Sequence, residues 1–208
     1  MINHIEEIFK KYEPKIYGQR MEAAVLLPLI KVKEEWHILY EVRSAVVSQA
    51  GDSSFPGGGV EAEETYKETA IRETMEELNI KEENIRILGE MDYIVHQQMI
   101  IYCFVGELIN LAVEDIQPNI EVEKVYTIPL SYFLENKPAY FSVKFDPVIE
   151  EQFLEKQRDD KQPYKLRKMD EKVPYYAIEK HLLWGFTANL TERFIEIIEN
   201  SSSKESDE

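Results

Sequence analysis

Residues Gly58–Ile80 read GGVEAEETYKETAIRETMEELNI. A glycine turn runs into a helix-compatible stretch, and the residue order there limits what the chain can become. At about 100° per residue, Glu73, Glu76 and Glu77 lie within roughly a quarter to a third of the circumference. Ile71, Met75 and Leu78 fall on the other side. The spacing predicts a helix with one face in a core and three carboxylates on the opposite face. Thr65 and Glu68 form a capping-box pattern at its start.

Such a face is unfavourable by itself. Like charges three and four residues apart destabilise a helix by a few tenths of a kcal/mol per pair. Without a counterion part of the cluster protonates. A divalent cation removes the conflict, and hard oxygen ligands suit Mg²⁺ or Mn²⁺, which also bridge phosphate oxygens. A solvated acidic helix face is the alternative reading of three glutamates alone.

The flanking residues favour the cation. The stretch resembles the Nudix box, Gx5Ex7REUxEExGU with U aliphatic. Gly58, Glu64, Arg72, Glu73, Glu76, Glu77 and Ile80 fill their positions. Thr74 replaces an aliphatic residue and Asn79 replaces the last glycine. Asn tolerates a left-handed helix end, so the second departure preserves the geometry. The resemblance implies that Gly58, through its backbone carbonyl, and Glu73, Glu76 and Glu77 are metal ligands. It implies that Glu64 and Arg72 fix the loop against the helix. Glu73 is the first candidate for the base that holds the proton of an attacking water, and Glu77 belongs to the same catalytic set. A later loop is the other source of a base, with Glu121 and Glu123 as candidates and Glu114 behind them; each also reads as a surface glutamate.

Composition bounds the partners. The chain has 208 residues, with 24 Lys and Arg against 40 Asp and Glu, a net charge of −16. That surface repels nucleic acid backbones, and an anionic substrate must meet a metal or a local basic patch. No run approaches the ~18 apolar residues of a membrane span. The N-terminus lacks a secretory pattern. Cys103 is the single cysteine and sits in the apolar run IIYCFVGEL, where it reads as a packed hydrophobe. These features point to a cytoplasmic protein. His4, His37, His96 and His181 have no zinc spacing.

Along the chain, the pattern predicts a helix over 2–13, strands at 23–32 and 36–43 around a polar turn, and a loop over 44–59. Further strands are expected at 85–91, 100–108 and 122–128, with a short helix from Pro129 through Leu134. Residues 147–174 are charged and irregular and read as an insertion, a lid or a surface helix. Tyr175–Ile178 reads as a last strand, 184–198 as a last helix, and 201–208 as a disordered tail. Residues 1–200 are expected to form one domain. The mixed order, with helices at both ends, fits a sheet packed between helices, and the resemblance implies the Nudix-type α/β/α sandwich.

Upstream of the box, LYEVRSAVVSQAGDSSFPGG is similar to the signature of coenzyme A pyrophosphatases, a Nudix subfamily, which runs approximately LLTxRSxxLxxHxGQxSFPGG. Leu39, Arg43, Ser44, Gly51, Ser54, Phe55, Pro56, Gly57 and Gly58 agree. Glu121, Val122, Pro129 and Leu130 resemble a family EVxxxxxxPL element, and Trp184, Gly185, Thr187 and Ala188 its WGxTA element. Gln49 stands where histidine is usual and Asp52 where Gln or Glu is usual. The resemblance implies hydrolysis of the coenzyme A diphosphate to adenosine 3′,5′-bisphosphate and 4′-phosphopantetheine. Arg43, Ser44 and Phe55 are the expected substrate-binding residues; Arg43 reads equally as a structural ion-pair partner. Aromatic residues in 132–145 read as core or as an adenine stack.

Two other readings stay open. One keeps the mechanism and changes the substrate to ADP-ribose or another nucleoside diphosphate derivative. The other is a nucleotide-sensing module without catalysis, which the full set of box carboxylates disfavours. The implied partner is a small-molecule diphosphate, with neither nucleic acid nor membrane. A homodimer is compatible with the chain.

Overall fold

The computed structural model describes residues 1–14, 17–18, 20–146, 148 and 169–205. Its centre is β1 (Met21–Val32), an apolar run in which Ala24, Leu26, Leu27 and Ile30 are fully buried. Burial on both faces is what a central strand requires. A two-residue turn, Lys33–Glu34, leads to β2 (Glu35–Arg43). Both turn residues have positive φ, 45° and 69°. That backbone matches the right-handed twist of a tight hairpin.

β1 and β2 then part. β2 pairs with β1 only from Leu29↔Ile38 to Val32↔Glu35. The first half of β1 pairs with β4 (Gly57–Gly59), and the far half of β2 pairs with β3 (Ser53–Ser54). Pro28, which has no N–H to give, sits between the two pairings of β1. β2 takes β7 (Val122–Pro129) on its other edge. β6 (Met99–Leu108) runs parallel to β1 over ten positions and pairs antiparallel with β5 (Ile85–His96). The result is a mixed seven-stranded sheet.

Helices cover both faces. α2 (Tyr66–Leu78) lies on one, over Ala24, Leu26, Phe104, Ile30 and Leu39. α3 (Leu130–Glu135) and α4 (Gly185–Glu205) lie on the other, around Leu27, Tyr40, Phe133, Leu190, Phe194 and Ile195. The expected α/β/α sandwich is therefore present. A three-stranded antiparallel sheet, β8 (Ala139–Phe145), β9 (Met169–Ile178) and β10 (His181–Trp184), packs beside α4. Cys103 is buried, and burial pushes its thiol up to about 12, as a packed hydrophobe requires. Among the described residues no helix is long and apolar enough to cross a membrane.

Several expectations change: β10 follows the strand expected to be last, and β3 and β4 form within the expected loop 44–59. The N-terminal helix α1 (Ile2–Lys11) forms, but no residue of it is buried, so it belongs to neither layer. α2 does not turn Ile71 and Met75 inward. Its sheet-facing stripe is Ala70, Thr74 and Leu78, while Ile71 and Met75 stay half-buried. Small residues let the helix lie close to β1, and Thr74 hides its hydroxyl by donating to the Ala70 carbonyl at 2.7 Å. The charged stretch expected over 147–174 ends in regular strand, since β9 starts at Met169; residues 149–168 lie outside the described set. The expected tail begins as helix, since α4 continues to Glu205; residues 206–208 lie outside the described set.

Candidate active site

The fork between β1 and β2 holds the site. α2 starts there with the expected capping box: Thr65 Oγ1 accepts from the Glu68 N–H, and Glu68 Oε2 accepts from the Thr65 N–H at 2.8 Å. It ends at Asn79, whose left-handed backbone (φ 52°, ψ 48°) does what the usual glycine does.

Arg72 ties the glycine loop to the helix. Its Nε and Nη2 donate to the two oxygens of Glu64 at 2.7 and 3.1 Å, and Nη2 also reaches the Gly59 carbonyl at 3.2 Å. Nη1 donates to Glu73 Oε1 at 2.9 Å and reaches Glu76 Oε2 at 3.5 Å. The guanidinium holds the Glu64 carboxyl well below its ordinary range, at about 2. The pairing expected of Glu64 and Arg72 is thus the one present.

The three helix carboxylates differ in burial. Glu76 is exposed and Glu73 is mostly covered. Glu77 is 4% exposed, and its Oε2 accepts the Gly57 N–H at 2.8 Å. Gly58 sits against Glu73 so closely that a Cβ there would lie 2.3 Å from Glu73 Oε1. Only glycine lets the backbone come this near a carboxylate.

A fourth carboxylate joins them, and the sequence reading missed it. Glu41 on β2 is 1% exposed. It accepts the Ser54 hydroxyl at 2.8 Å. Its signal was available: a lone acid inside the continuous apolar run ILYEV has no reason to be there unless it is paired or functional. Burial pushes Glu41 up to about 7, with Glu121 and Glu73 adding to the rise. Burial and then Glu41 push Glu77 up to about 8. Glu73 is raised by burial, less strongly.

Glu121 reaches this group through its loop. The Ser44 hydroxyl donates to the Ile120 carbonyl at 2.6 Å, the Ser44 N–H to the Glu121 carbonyl, and the Asn119 N–H to the Glu77 carbonyl. Ser44 therefore anchors the loop, and its hydroxyl is committed there. Glu123 is exposed on β7, and Glu114 is exposed in the turn Val113–Asp115.

A cleft of about 550 Å³ opens beside the carboxylates. Arg43, Asp52, Ser54, Gly57, His96 and Glu171 line it together with Met99, Ile101, Val143, Val173 and Phe186. Arg43 Nε donates to the Ser48 carbonyl at 2.8 Å. Phe55 lines the cleft from within the core, 4% exposed and stacked on Tyr40 at 5.1 Å. Trp184 Nε1 donates to Asp52 Oδ1 at 3.3 Å, and Thr187 Oγ1 to the Ser53 carbonyl at 3.0 Å, so the WGxTA element closes over the upstream signature. Among the described residues, no three His, Cys, Asp or Glu side chains are already disposed as cation ligands. Glu73 is turned to Arg72 and Glu77 to the Gly57 N–H.

The raised carboxylates set a pH dependence for the protein stripped of divalent ions. The folded state keeps protons that the unfolded chain releases near its ordinary carboxylate pKa of 4.5. Stability is therefore highest on the acid side and falls as pH rises towards 8. Thermal unfolding in chelator is expected to give a Tm lower by roughly 5 °C at pH 8 than at pH 6. Added Mn²⁺ is expected to raise Tm more at pH 8, where protons no longer compete. A flat or rising profile in chelator contradicts this electrostatic picture.

The comparisons with known proteins agree with this architecture. A family profile described as NUDIX domain matches residues 21–141. The chain is 27% identical over 194 residues to a protein named Uncharacterized Nudix hydrolase NudL from Photorhabdus laumondii, covering 89% of both chains. It is 33% identical over 117 residues to Nudix hydrolase 3 of Caenorhabditis elegans, covering 54% of this chain and 49% of that one. A crystal structure of a MutT/nudix family protein from Enterococcus faecalis matches the fold with a TM-score of 0.53, at 12% identity, over 96% of this chain and 70% of the other. With the box carboxylates, the Arg72 staple and the sandwich all in place, the chain belongs to the Nudix hydrolase family.

Proposed function

We propose that the protein hydrolyses the diphosphate bond of coenzyme A or a derivative, giving adenosine 3′,5′-bisphosphate and 4′-phosphopantetheine. One observation carries this reading. Two segments over a hundred residues apart, Arg43–Gly57 and Trp184–Thr187, line one cleft, and two of its lining residues bond the carboxylates, Ser54 to Glu41 and the Gly57 N–H to Glu77. These are the segments that resemble the coenzyme A pyrophosphatase signature. The apolar part of the lining, Met99, Ile101, Val143, Val173 and Phe186, suits the pantetheine arm or an acyl group on it. We read residues 1–200 as one catalytic unit.

Nudix hydrolases need divalent cations, and the residues here fit one. Gly58, Glu73, Glu76 and Glu77 offer hard oxygen donors of the kind Mg²⁺ and Mn²⁺ take. The buried oxygen of Glu41, without a partner among the described residues, marks a carboxyl that a cation would hold ionised. When bound, such cations neutralise the diphosphate and acidify water. The chain's own residues do the rest. Arg72 holds Glu73 in place, and the Gly57 N–H holds Glu77. Glu73 or Glu121 takes the proton of the water whose oxygen adds to phosphorus as the anhydride P–O bond breaks. Arg43, at the mouth of the cleft, meets a substrate phosphate.

A second reading has its own observation. Arg43 is the one Lys or Arg among the described residues that line the cleft. The 3′-phosphate of coenzyme A adds charge that ADP-ribose lacks, so a cation-poor cleft favours ADP-ribose. A panel of coenzyme A, acyl derivatives, ADP-ribose, NADH and nucleoside triphosphates, with Mg²⁺ or Mn²⁺ and product masses recorded, separates the two. The expected result is the highest kcat/KM for coenzyme A or an acyl derivative. Preference for ADP-ribose removes the first reading, and ligand binding without turnover favours the sensing module.

A further inference from the structure

Among the described residues, one oxygen of Glu41 has no partner. β2 holds this residue between Tyr40 and Val42, in a stretch where every residue from Ile38 to Val42 is buried. Oε1 accepts the Ser54 hydroxyl at 2.8 Å, while Oε2 is buried and accepts from none of the described residues. Leaving a buried acceptor unsatisfied costs about 1–3 kcal/mol, and more for a charged group. Apolar residues on either side offer no remedy, so its retention needs a reason other than packing.

The surroundings supply one. Glu77 and Glu73 face Glu41 from α2, Glu121 from the loop before β7, and Arg43 from the same strand. Four carboxylates stand against two guanidiniums, Arg43 and Arg72, and Arg72 is already paired with Glu73 and Glu64, which leaves a local deficit of positive charge. Ser54 pins one oxygen of Glu41 and leaves the other free, which is how a supporting hydroxyl orients a metal-binding carboxylate.

We propose that Glu41 is a ligand to a divalent cation through Oε2, shared with Glu77, so that the metal centre extends beyond the Nudix box onto strand β2. The inference rests on the box carboxylates taking Mg²⁺ or Mn²⁺. It adds a third element, β2, to the helix α2 and the glycine strand β4 that carry the other donors, so that an ion there also clamps α2 to β2.

The test titrates Mn²⁺ alone into the full chain after chelation, counting free Mn²⁺ by electron paramagnetic resonance. Glu41→Gln keeps an acceptor for Ser54 and removes the charge. It is expected to lower Mn²⁺ affinity by about 10-fold or more, or to remove one bound equivalent. Its Tm in chelator is expected to equal or exceed that of the parent chain. Glu77→Gln serves as the parallel variant. If Glu77→Gln loses Mn²⁺ and Glu41→Gln does not, the inference is overturned and the box reading stands. If neither loses Mn²⁺, both fall. A Glu41 that merely shares a proton with Glu77 gives the overturning result, because glutamine replaces a protonated carboxyl without loss of an ion. Should Glu41→Gln fail to fold, Ser54→Ala leaves the carboxylate but releases its orientation. It is expected to weaken Mn²⁺ binding by about 3- to 10-fold, and unchanged binding overturns the inference.

Discussion

Glu77→Gln is expected to reduce turnover by at least about 10²-fold, the scale at which loss of a main electrostatic element is felt. The fold is expected to survive. Among the described residues the Glu77 side chain makes one hydrogen bond, from the Gly57 N–H at 2.8 Å, and the amide oxygen of glutamine accepts it. What disappears is a charge buried to 4% exposure beside Glu41. In the absence of cations that charge is a burden, so the variant's Tm in chelator should match or exceed that of the parent chain. Kinetics with Mn²⁺ and thermal unfolding in chelator, measured on one preparation, check both halves. A near-normal rate removes Glu77 from the metal site. A large fall in Tm makes its role structural.

Substituting the three adjacent glycines by alanine is expected to give three different outcomes. At Gly57 the new methyl would meet the Ala24 carbonyl oxygen at 2.4 Å and Val25 Cα at 2.6 Å. Both are backbone atoms of the central strand and cannot step aside. The expected loss is about 3 kcal/mol, or roughly 10 °C in Tm for a chain of this size. At Gly58 the methyl would meet the Glu73 carboxylate instead, the far end of a flexible side chain. Glu73 moves, Tm changes little, and turnover falls by about 10²-fold because the displaced group lies at the chemistry. At Gly59 nothing lies within 4 Å, and neither quantity should shift much. Equal effects at all three positions would mean that the turn matters only as a turn.

How far the site could be read from sequence follows from the range of each signal. Helical period groups Glu73, Glu76 and Glu77, and the box spacing pairs Glu64 with Arg72. Both signals are local, and both match the geometry. Asn79 and the capping box are local too. Glu41 is different. Its partners are Glu77, 36 positions later, and Ser54, across a loop, and no periodicity links them. Ser44 and Phe55 came from resemblance alone. In the fold one anchors a loop and the other sits in the core stacked on Tyr40, while lining the cleft. Ile71 and Met75 look inward on a helical wheel, yet closeness to β1 selected the smaller stripe of Ala70 and Thr74. The amphipathic pattern of α1 predicts a buried face, but a pattern on a short helix does not say what covers it. β8 and the early part of β9 lacked a contiguous apolar run, and their residues are mostly exposed.

The parallel alignment of β1 with β6 has a consequence for how the molecule comes into being. Met21 lies beside Met99 and Ile30 beside Leu108, so every box residue is synthesised between two strands that must later meet. At about 5–20 residues per second, a nascent chain spends seconds with its acidic helix translated and its closing strand still to come. During that interval the glutamates are strung along an open polymer with ordinary acidities and no common cavity. The carboxylate cluster is thus complete only after β6 and the Glu121 loop have been made.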